Sequence, residues 1–366
     1  MWYSKLNVFI LSLLCVFGIA TQAEAAETYE RTKTVYRSFG CNENSSVELT
    51  NQHGDIYINT WSEDSVAFSI TIEAYSEKSE HLEDLLSMIE IEFNDYSSYI
   101  IAETQQAKNS TLLNKAAFGL SKLSGSREIR VNYQVYLPEN IELSIENEFG
   151  DVYIGTHTGE FNLELSHGDL RAKKLENVKV IKAKYGEVKI DEAQGGRFDF
   201  SYVKGAQLGS LQNVFMKSTY SEIDIDEMNI LRLESRLDEI YVSELGSING
   251  KTSLSKVHIR TLRETADLES KFGNLRVDEI SSSSGELNFK GTNTDYTLGF
   301  SAGVTGTFEI QMTGNKAFNS DKDYLNIQDT SQIDDKTTFY NGKINDSSSG
   351  IKLTLQSKNG EVNIGG

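Results

Sequence analysis

The sequence predicts an all-β protein: a single-chain β-solenoid, or β-helix, with a small N-terminal β region that carries one helix. Three observations point there. A short unit, Phe149-Gly150-Asp151-Val152-Tyr153-Ile154, returns as His167-Gly168-Asp169-Leu170, Tyr185-Gly186-Glu187-Val188-Lys189-Ile190 and Phe272-Gly273-Asn274-Leu275-Arg276-Val277. Weaker copies stand at Tyr220-Ser221-Glu222-Ile223 and Leu237-Asp238-Glu239-Ile240, so the unit recurs about every 17–18 residues, a period in the range of repeat architectures. Apolar and polar residues alternate strictly through most of the chain, the pattern of strands with one buried face. The composition favours strands too, with 17 Tyr, 17 Phe and a single proline among 366 residues.

The first stretch reads as a signal peptide (1–25). Lys5 precedes the apolar run Val8 to Ala20, and Ala23-Glu24-Ala25 supplies a small-x-small site, with cleavage after Ala25 or Ala26. That run is short for a bilayer span, and Cys15 follows Leu14 where a lipoprotein signal wants a small residue. Cys41 is then alone in the mature chain, so no internal disulfide supports the fold.

Residues 26–140 form the expected N-terminal β region. Val47 and Leu49, Ile56 and Ile58, and Val66 to Ile72 alternate as strands. Leu82, Leu85, Leu86 and Ile89 stand at i, i+3, i+4 and i+7, which predicts one amphipathic helix over about 79–90, with Ser79 as N-cap. Ile89 to Phe93 also reads as the start of the next strand. Gln105 to Arg127 reads as a long polar loop. Ile129 to Leu137 alternates again and ends at Pro138.

From 141 to 291 the repeat governs. Each copy joins a bend to a short strand, a linker and a second short strand such as Phe161-Asn162-Leu163-Glu164-Leu165. Rungs stacked at about 4.8 Å would bury a continuous ladder of Val, Ile, Leu and Phe. An antiparallel sandwich is the alternative, since closely spaced turn signals suit that fold as well. Ser221 and Asp238 replace the glycine of the unit, which predicts less tight bends there. From 292 to 366 the period is lost: Asn315 to Asp335 reads as polar loop, and Asn359-Gly360-Glu361-Val362-Asn363-Ile364 restores the unit as a last rung. The helix and this irregular stretch are the candidate caps of the stack.

The formal net charge is −19, from 54 acidic and 35 basic residues, and so acidic a chain repels phosphate backbones and excludes nucleic acid as a partner. His53 and His167 occupy the aromatic position of the unit, a packing site at a bend. No zinc-protease helix motif or nucleophile elbow is present, and Cys41 reads as structural. The acidic pairs Asp191-Glu192, Asp226-Glu227 and Asp278-Glu279, with Asp151 and Asp169, would line one edge of the stack. That edge reads as solvated. A Ca²⁺-stabilised module is the alternative, without the calcium-binding nonapeptide. No cofactor or metal is expected. One outward strand position gathers Tyr153, Lys189, Asp224, Tyr241, Arg260 and Arg276 into a flat stripe, the candidate binding surface for a glycan or an envelope protein.

Asn51-Gln52-His53-Gly54-Asp55-Ile56-Tyr57-Ile58 with Trp61, Val135-Tyr136-Leu137-Pro138 and the serial Gly-Asp/Glu-aliphatic units resemble the bacterial putative-adhesin family of unknown function, built of stacked β-strand repeats. The resemblance covers most of the mature chain. It implies an adhesive role and brings no catalytic residues. The expectation is an exported, non-catalytic envelope protein, periplasmic or at the cell surface, that keeps no membrane span after cleavage. A carbohydrate-active β-helix enzyme is the second reading.

Overall fold

The computed structural model describes residues 28–96, 98–107, 127–321 and 324–365. The expected signal peptide and residues 108–126 lie outside the described residues. The chain opens with β1 (Tyr29–Gly40), β2 (Ser46–Gln52), β3 (Ile56–Trp61) and β4 (Ser65–Ser76). A 3-10 turn (Ser79–His81) leads into α1 (Leu82–Ser87), then β5 (Ile89–Tyr96), β6 (Tyr99–Gln106), β7 (Arg127–Pro138) and β8 (Glu142–Glu148). The body is β9 (Val152–Ser166), β10 (Leu170–Lys184), β11 (Val188–Ser201), β12 (Ala206–Thr219), β13 (Glu222–Arg236), β14 (Glu239–Ser253), β15 (Lys256–Leu262), β16 (Ala266–Ile280) and β17 (Glu286–Phe300). It closes with β18 (Gly306–Thr313), β19 (Phe318–Ser320), β20 (Leu325–Asp334), β21 (Thr337–Ile344), β22 (Ile351–Lys358) and β23 (Val362–Gly365). The fold is all-β, as expected, and these strands form one hydrogen-bonded, open sheet.

The body strands are long because each serves two ladders. β9 pairs through Val152 to Ile154 with β3, and through Phe161 to Ser166 with β8. β14 likewise pairs through Glu239 to Leu245 with β15, and through Ile248 to Ser253 with β16. The burial pattern records the change: inward residues alternate as Val152 and Ile154, slip one step, and resume at His157, Gly159 and Phe161. A half-strand therefore lies in a first ladder, and its continuation in a second. Pairing along both is parallel and one period apart, Val152 opposite Leu170, Leu170 opposite Val188, and Ala206 opposite Ile223. The inward side chains, from Leu49 and Ile56 through Phe198, Leu233 and Ile259 to Leu353 and Val362, form one continuous core.

One conformation turns each rung into the next. Phe149, His167, Tyr185, Tyr202, Tyr220, Leu237, Leu254 and Phe272 all have φ between 53° and 60°. The left-handed residue is thus the aromatic or leucine before the glycine or the residue that stands in its place, a conformation that costs a side-chain-bearing residue roughly 1–2 kcal/mol. Stacking offsets part of that cost: ring centroids lie 5.1 Å apart for His53–Phe149, 4.8 Å for Phe149–His167, 4.8 Å for His167–Tyr185, 5.0 Å for Tyr185–Tyr202 and 5.1 Å for Tyr202–Tyr220. The glycine serves close approach. A Cβ on Gly168 would stand 1.9 Å from the carbonyl oxygen of Gly150.

The acidic residue that follows holds the next rung. The Asp151 N–H donates to Asp55 Oδ1 (2.9 Å), the Asp169 N–H to Asp151 Oδ1 (2.8 Å) and the Glu187 N–H to Asp169 Oδ1 (2.8 Å). Gly-Asp is therefore a stacking device. Asp151 and Asp169 sit at bends, whereas the acidic pairs end the first-ladder half-strands, so the two sets do not form the single edge expected. Nor are the middle bends looser. Tyr220 and Leu237 have φ of 53° and 60°, as tight as the rest, and the replacing side chains are buried. Asp238 accepts from Ser218 Oγ (2.6 Å), Ser235 Oγ (2.6 Å), the Ser221 N–H (2.8 Å) and the Arg236 N–H (3.0 Å).

The ends depart from the parallel pattern. β1 pairs antiparallel with β4, and β4 antiparallel with β7, beside β3. The helix is shorter than expected, six residues that bury Leu82, Leu85 and Leu86, and Ile89 already begins β5. Ser79 does not cap it: Lys78 holds the capping position of the 3-10 turn, without a side-chain hydrogen bond. At the other end the last rung is inserted: β22 and β23 lie directly against β17, and β18 and β19 outside them. The stretch read as loop at 315–335 contains β19 and β20. β20 pairs only along β21 among the described residues and buries only Leu325, so it has no inward face to impose alternation.

Replacing Asp238 with alanine removes the acceptor of three buried donors and one part-buried donor. We expect a loss of about 3 kcal/mol, read as a lower denaturation midpoint at unchanged m-value, and a smaller loss for Asp238→Asn.

Candidate functional site

The register decides which outward side chains are neighbours. On the first ladder Tyr57 lies opposite Tyr153, Tyr153 opposite Arg171, and Arg171 opposite Lys189. The column continues through Gln207, Asp224, Tyr241, His258 and Arg276 to Thr297. Of the expected stripe, Tyr153, Lys189, Asp224, Tyr241 and Arg276 share this column. Arg260 does not. His258 occupies that place, opposite Tyr241 and Arg276, and Arg260 stands two residues further on, where its guanidinium donates to Glu244 Oε1 (2.7 Å). Counting one period from each member would have found Tyr57's partner Tyr153, then Arg171, Gln207 and His258. The repeat unit alone misses Gln207, whose rung keeps only fragments of it, whereas Arg171 directly follows the copy His167-Gly168-Asp169-Leu170.

At the N-terminal end of the column Tyr57 and Tyr153 stack at 4.7 Å with rings 3° from parallel. Their hydroxyls donate to Asp55 Oδ2 (3.2 Å) and Asp151 Oδ2 (2.9 Å). Burial, and then the Asp151 carboxylate, push the Tyr153 phenol up to about 12, so it stays a donor at neutral pH. The Arg171 guanidinium lies 6.0 Å from the Tyr153 ring centroid. A groove of about 660 Å³ runs here, lined by both tyrosines, Arg171, Lys173, Lys189 and Asp191. A second depression of about 480 Å³ follows on the same face and shares Lys189 and Asp191, adding Gln207, Asp224, Asp226 and Tyr241. A third, about 490 Å³, includes Arg276, Asp278 and Asn363. There Asp278 accepts from His258 Nε2 (2.7 Å) and Arg276 Nε (2.6 Å). Burial alone would raise the Asp278 carboxyl; these two partners outweigh it and hold it below the usual range.

The second ladder is arranged differently. Its outward column reads Glu164, Lys182, Asp199, Lys217, Glu234, Lys251, Glu269 and Lys290, each opposite the next in the register. Charge alternates at every rung, and Lys182 is ion-paired with Glu164. Cross-strand opposites of this kind stabilise a sheet. On the first ladder Arg171 instead faces Lys189, and among the described residues no ion pair joins Arg171, Lys173, Lys189, Asp191 or Asp224.

Among the described residues no group of His, Cys, Asp and Glu side chains gathers as a metal site. Cys41 is half-buried, and burial, then Asp64, push its thiol up, away from the nucleophilic thiolate. No helix is long and apolar enough to cross a membrane among the described residues.

No protein-family model matches the chain, and no curated protein does. Among solved structures it is similar to a putative adhesin from Bacteroides fragilis (11% identity over 91% of this chain and 96% of that one, TM-score 0.27). It is also similar to a putative adhesin from Parabacteroides merdae (14%, 72% and 95%, TM-score 0.34) and a putative cell adhesion protein from Clostridium sporogenes (15%, 92% and 99%, TM-score 0.17).

Directly behind the candidate face, His157 stands in an inward column otherwise filled by Leu175, Ala193, Leu211 and Met228. Burial pushes its pKa down to about 4. The folded state therefore binds this proton less readily than the unfolded chain, whose histidine titrates near 6.5. Stability is full above about pH 6.5 and falls as the pH drops toward 4, by roughly 3 kcal/mol from this residue. Melts at pH 7.5 and 4.5 should show a smaller acid loss in His157→Phe than in the wild type.

Proposed function

We propose that the chain is an exported, non-catalytic module of the cell envelope, a β-solenoid scaffold that presents its first ladder as an adhesin-like recognition face. One observation carries the reading: the two outward faces treat charge oppositely. The second ladder sets opposite charges opposite each other on successive rungs, the arrangement of a face that needs only to be solvated. Toward its N-terminal end the first leaves Arg171, Lys173, Lys189, Asp191 and Asp224 without ion partners along two consecutive shallow grooves, beside tyrosines and an amide, whereas further along Asp278 pairs with His258 and Arg276. Unpaired polar groups on a rigid sheet are pre-organised for a ligand that supplies the missing partners, at little ordering cost. A glycan or an envelope protein fits that description. The apolar run and small-x-small site at the start of the sequence support export to the periplasm or the cell surface.

The test is a broad glycan array together with whole-cell binding by the purified protein. The wild type should bind. The quadruple variant Lys189→Ala, Asp224→Ala, Tyr241→Ala, Arg276→Ala should lose about tenfold or more in affinity at an unchanged melting temperature. Lys217→Gln with Lys251→Gln on the second ladder should leave binding intact. Binding that survives the quadruple variant would overturn the assignment of the face.

A further inference from the structure

The groove at the N-terminal end of the first ladder gathers three cations, Arg171, Lys173 and Lys189, in a chain with net charge −19. Arg171 and Lys189 are direct cross-strand neighbours, one rung apart, and Lys173 lines the same groove. Like charges so placed repel and destabilise a sheet. On the other ladder the same register positions carry opposite signs. The repulsion here is uncompensated by any ion pair among the described residues, and Asp55 and Asp151, the carboxylates nearest in sequence to the two tyrosines, are engaged by phenol hydroxyls and backbone amides.

We propose that this groove binds an acidic polysaccharide, a linear chain carrying carboxylates on its sugars. The proposal rests on the reading of the first ladder as the recognition face and specifies its ligand. The guanidinium of Arg171 and the ammonium groups of Lys173 and Lys189 receive the carboxylates, in charge-assisted hydrogen bonds. Tyr57 and Tyr153 cover each other's faces, so they offer ring edges, which carry the positive end of the ring quadrupole and also favour an anion. Next along the trough, Asp191, Asp224 and Gln207 have no partner charge and suit sugar hydroxyls, which donate to carboxylates. This sequence of cations, then acceptors, selects against a dense polyanion such as nucleic acid, which would meet Asp224 and Asp226 as well as the overall negative field. The trough crosses the strands, so a linear chain lies over rungs about 4.8 Å apart, a repeat comparable to one sugar.

Calorimetry at low salt with polygalacturonate, with neutral dextran and with anionic phospholipid vesicles tests this directly. Polygalacturonate should bind the wild type, weaken as salt rises, and lose about tenfold or more in affinity in Arg171→Gln/Lys189→Gln. Lys217→Gln/Lys251→Gln, with the same change in net charge, should bind as the wild type does. Equal losses in both pairs would show bulk charge acting and overturn the proposal, as would vesicle binding lost from the groove pair, or no polygalacturonate binding. Dextran bound in place of polygalacturonate, and lost on first-ladder substitution, would overturn the acidic ligand but leave the recognition face standing. Absence of all glycan and cell binding would remove both.

Discussion

The structure depends on how closely one rung can approach the next at the bend. Glycine at that place lets its backbone lie against the carbonyl of the rung before, where a Cβ on Gly150 would come within 2.0 Å of the Gly54 oxygen. The preceding residue turns left-handed to bring the chain round, and the acidic residue after it accepts the amide of the following rung. Each Gly-Asp bend thus fixes the height and register of the next rung. Once register is fixed, side chains one period apart become neighbours, and both outward columns follow from that.

From this constraint the two faces diverge by residue choice alone. The backbone is the same on both, a parallel ladder with side chains alternating in and out. On the second ladder the sequence places opposite charges on successive rungs, which stabilises the stack. On the first it places Arg171 beside Lys189, with Asp224 two rungs beyond. A sheet gains nothing in stability from that arrangement, and the proposed recognition face rests on it. The core behind is less permissive: His157 fills a place that aliphatic side chains take in the neighbouring rungs, and burial keeps it neutral.

Much of this was legible in the sequence because period and alternation report burial directly. The body strands, the return of the last rung at Val362 to Ile364 and five of the six stripe residues followed from counting. Arg260 was misplaced because the rung at Lys256 to Leu262 lacks the Gly-acidic signal, so its phase could be set two residues wrong. The strand at Leu325–Asp334 was invisible because an edge strand with one buried residue has no alternation to show. The left-handed aromatics were also hidden: sequence rules assign that conformation to glycine or asparagine, and the ring stacking that offsets part of its cost at Phe149 or Tyr202 exists only in three dimensions. The middle bends at Ser221 and Asp238 kept their geometry through a buried hydrogen-bond network that no local pattern encodes.

The central claim is that residues one period apart stand side by side in the outward column. Paired cysteines measure it most directly. In a Cys41→Ser background, Gln207→Cys with Asp224→Cys places two thiols on directly opposed positions of neighbouring strands, within the Cα separation of about 4.4–6.8 Å that a disulfide requires. Gln207→Cys with Asp226→Cys moves one of them two residues along the same face. The register predicts rapid oxidation of the first pair and little of the second, by mass spectrometry of the mildly oxidised monomer. Preferential cross-linking of the second pair, or of neither, would contradict the stacking on which both faces depend.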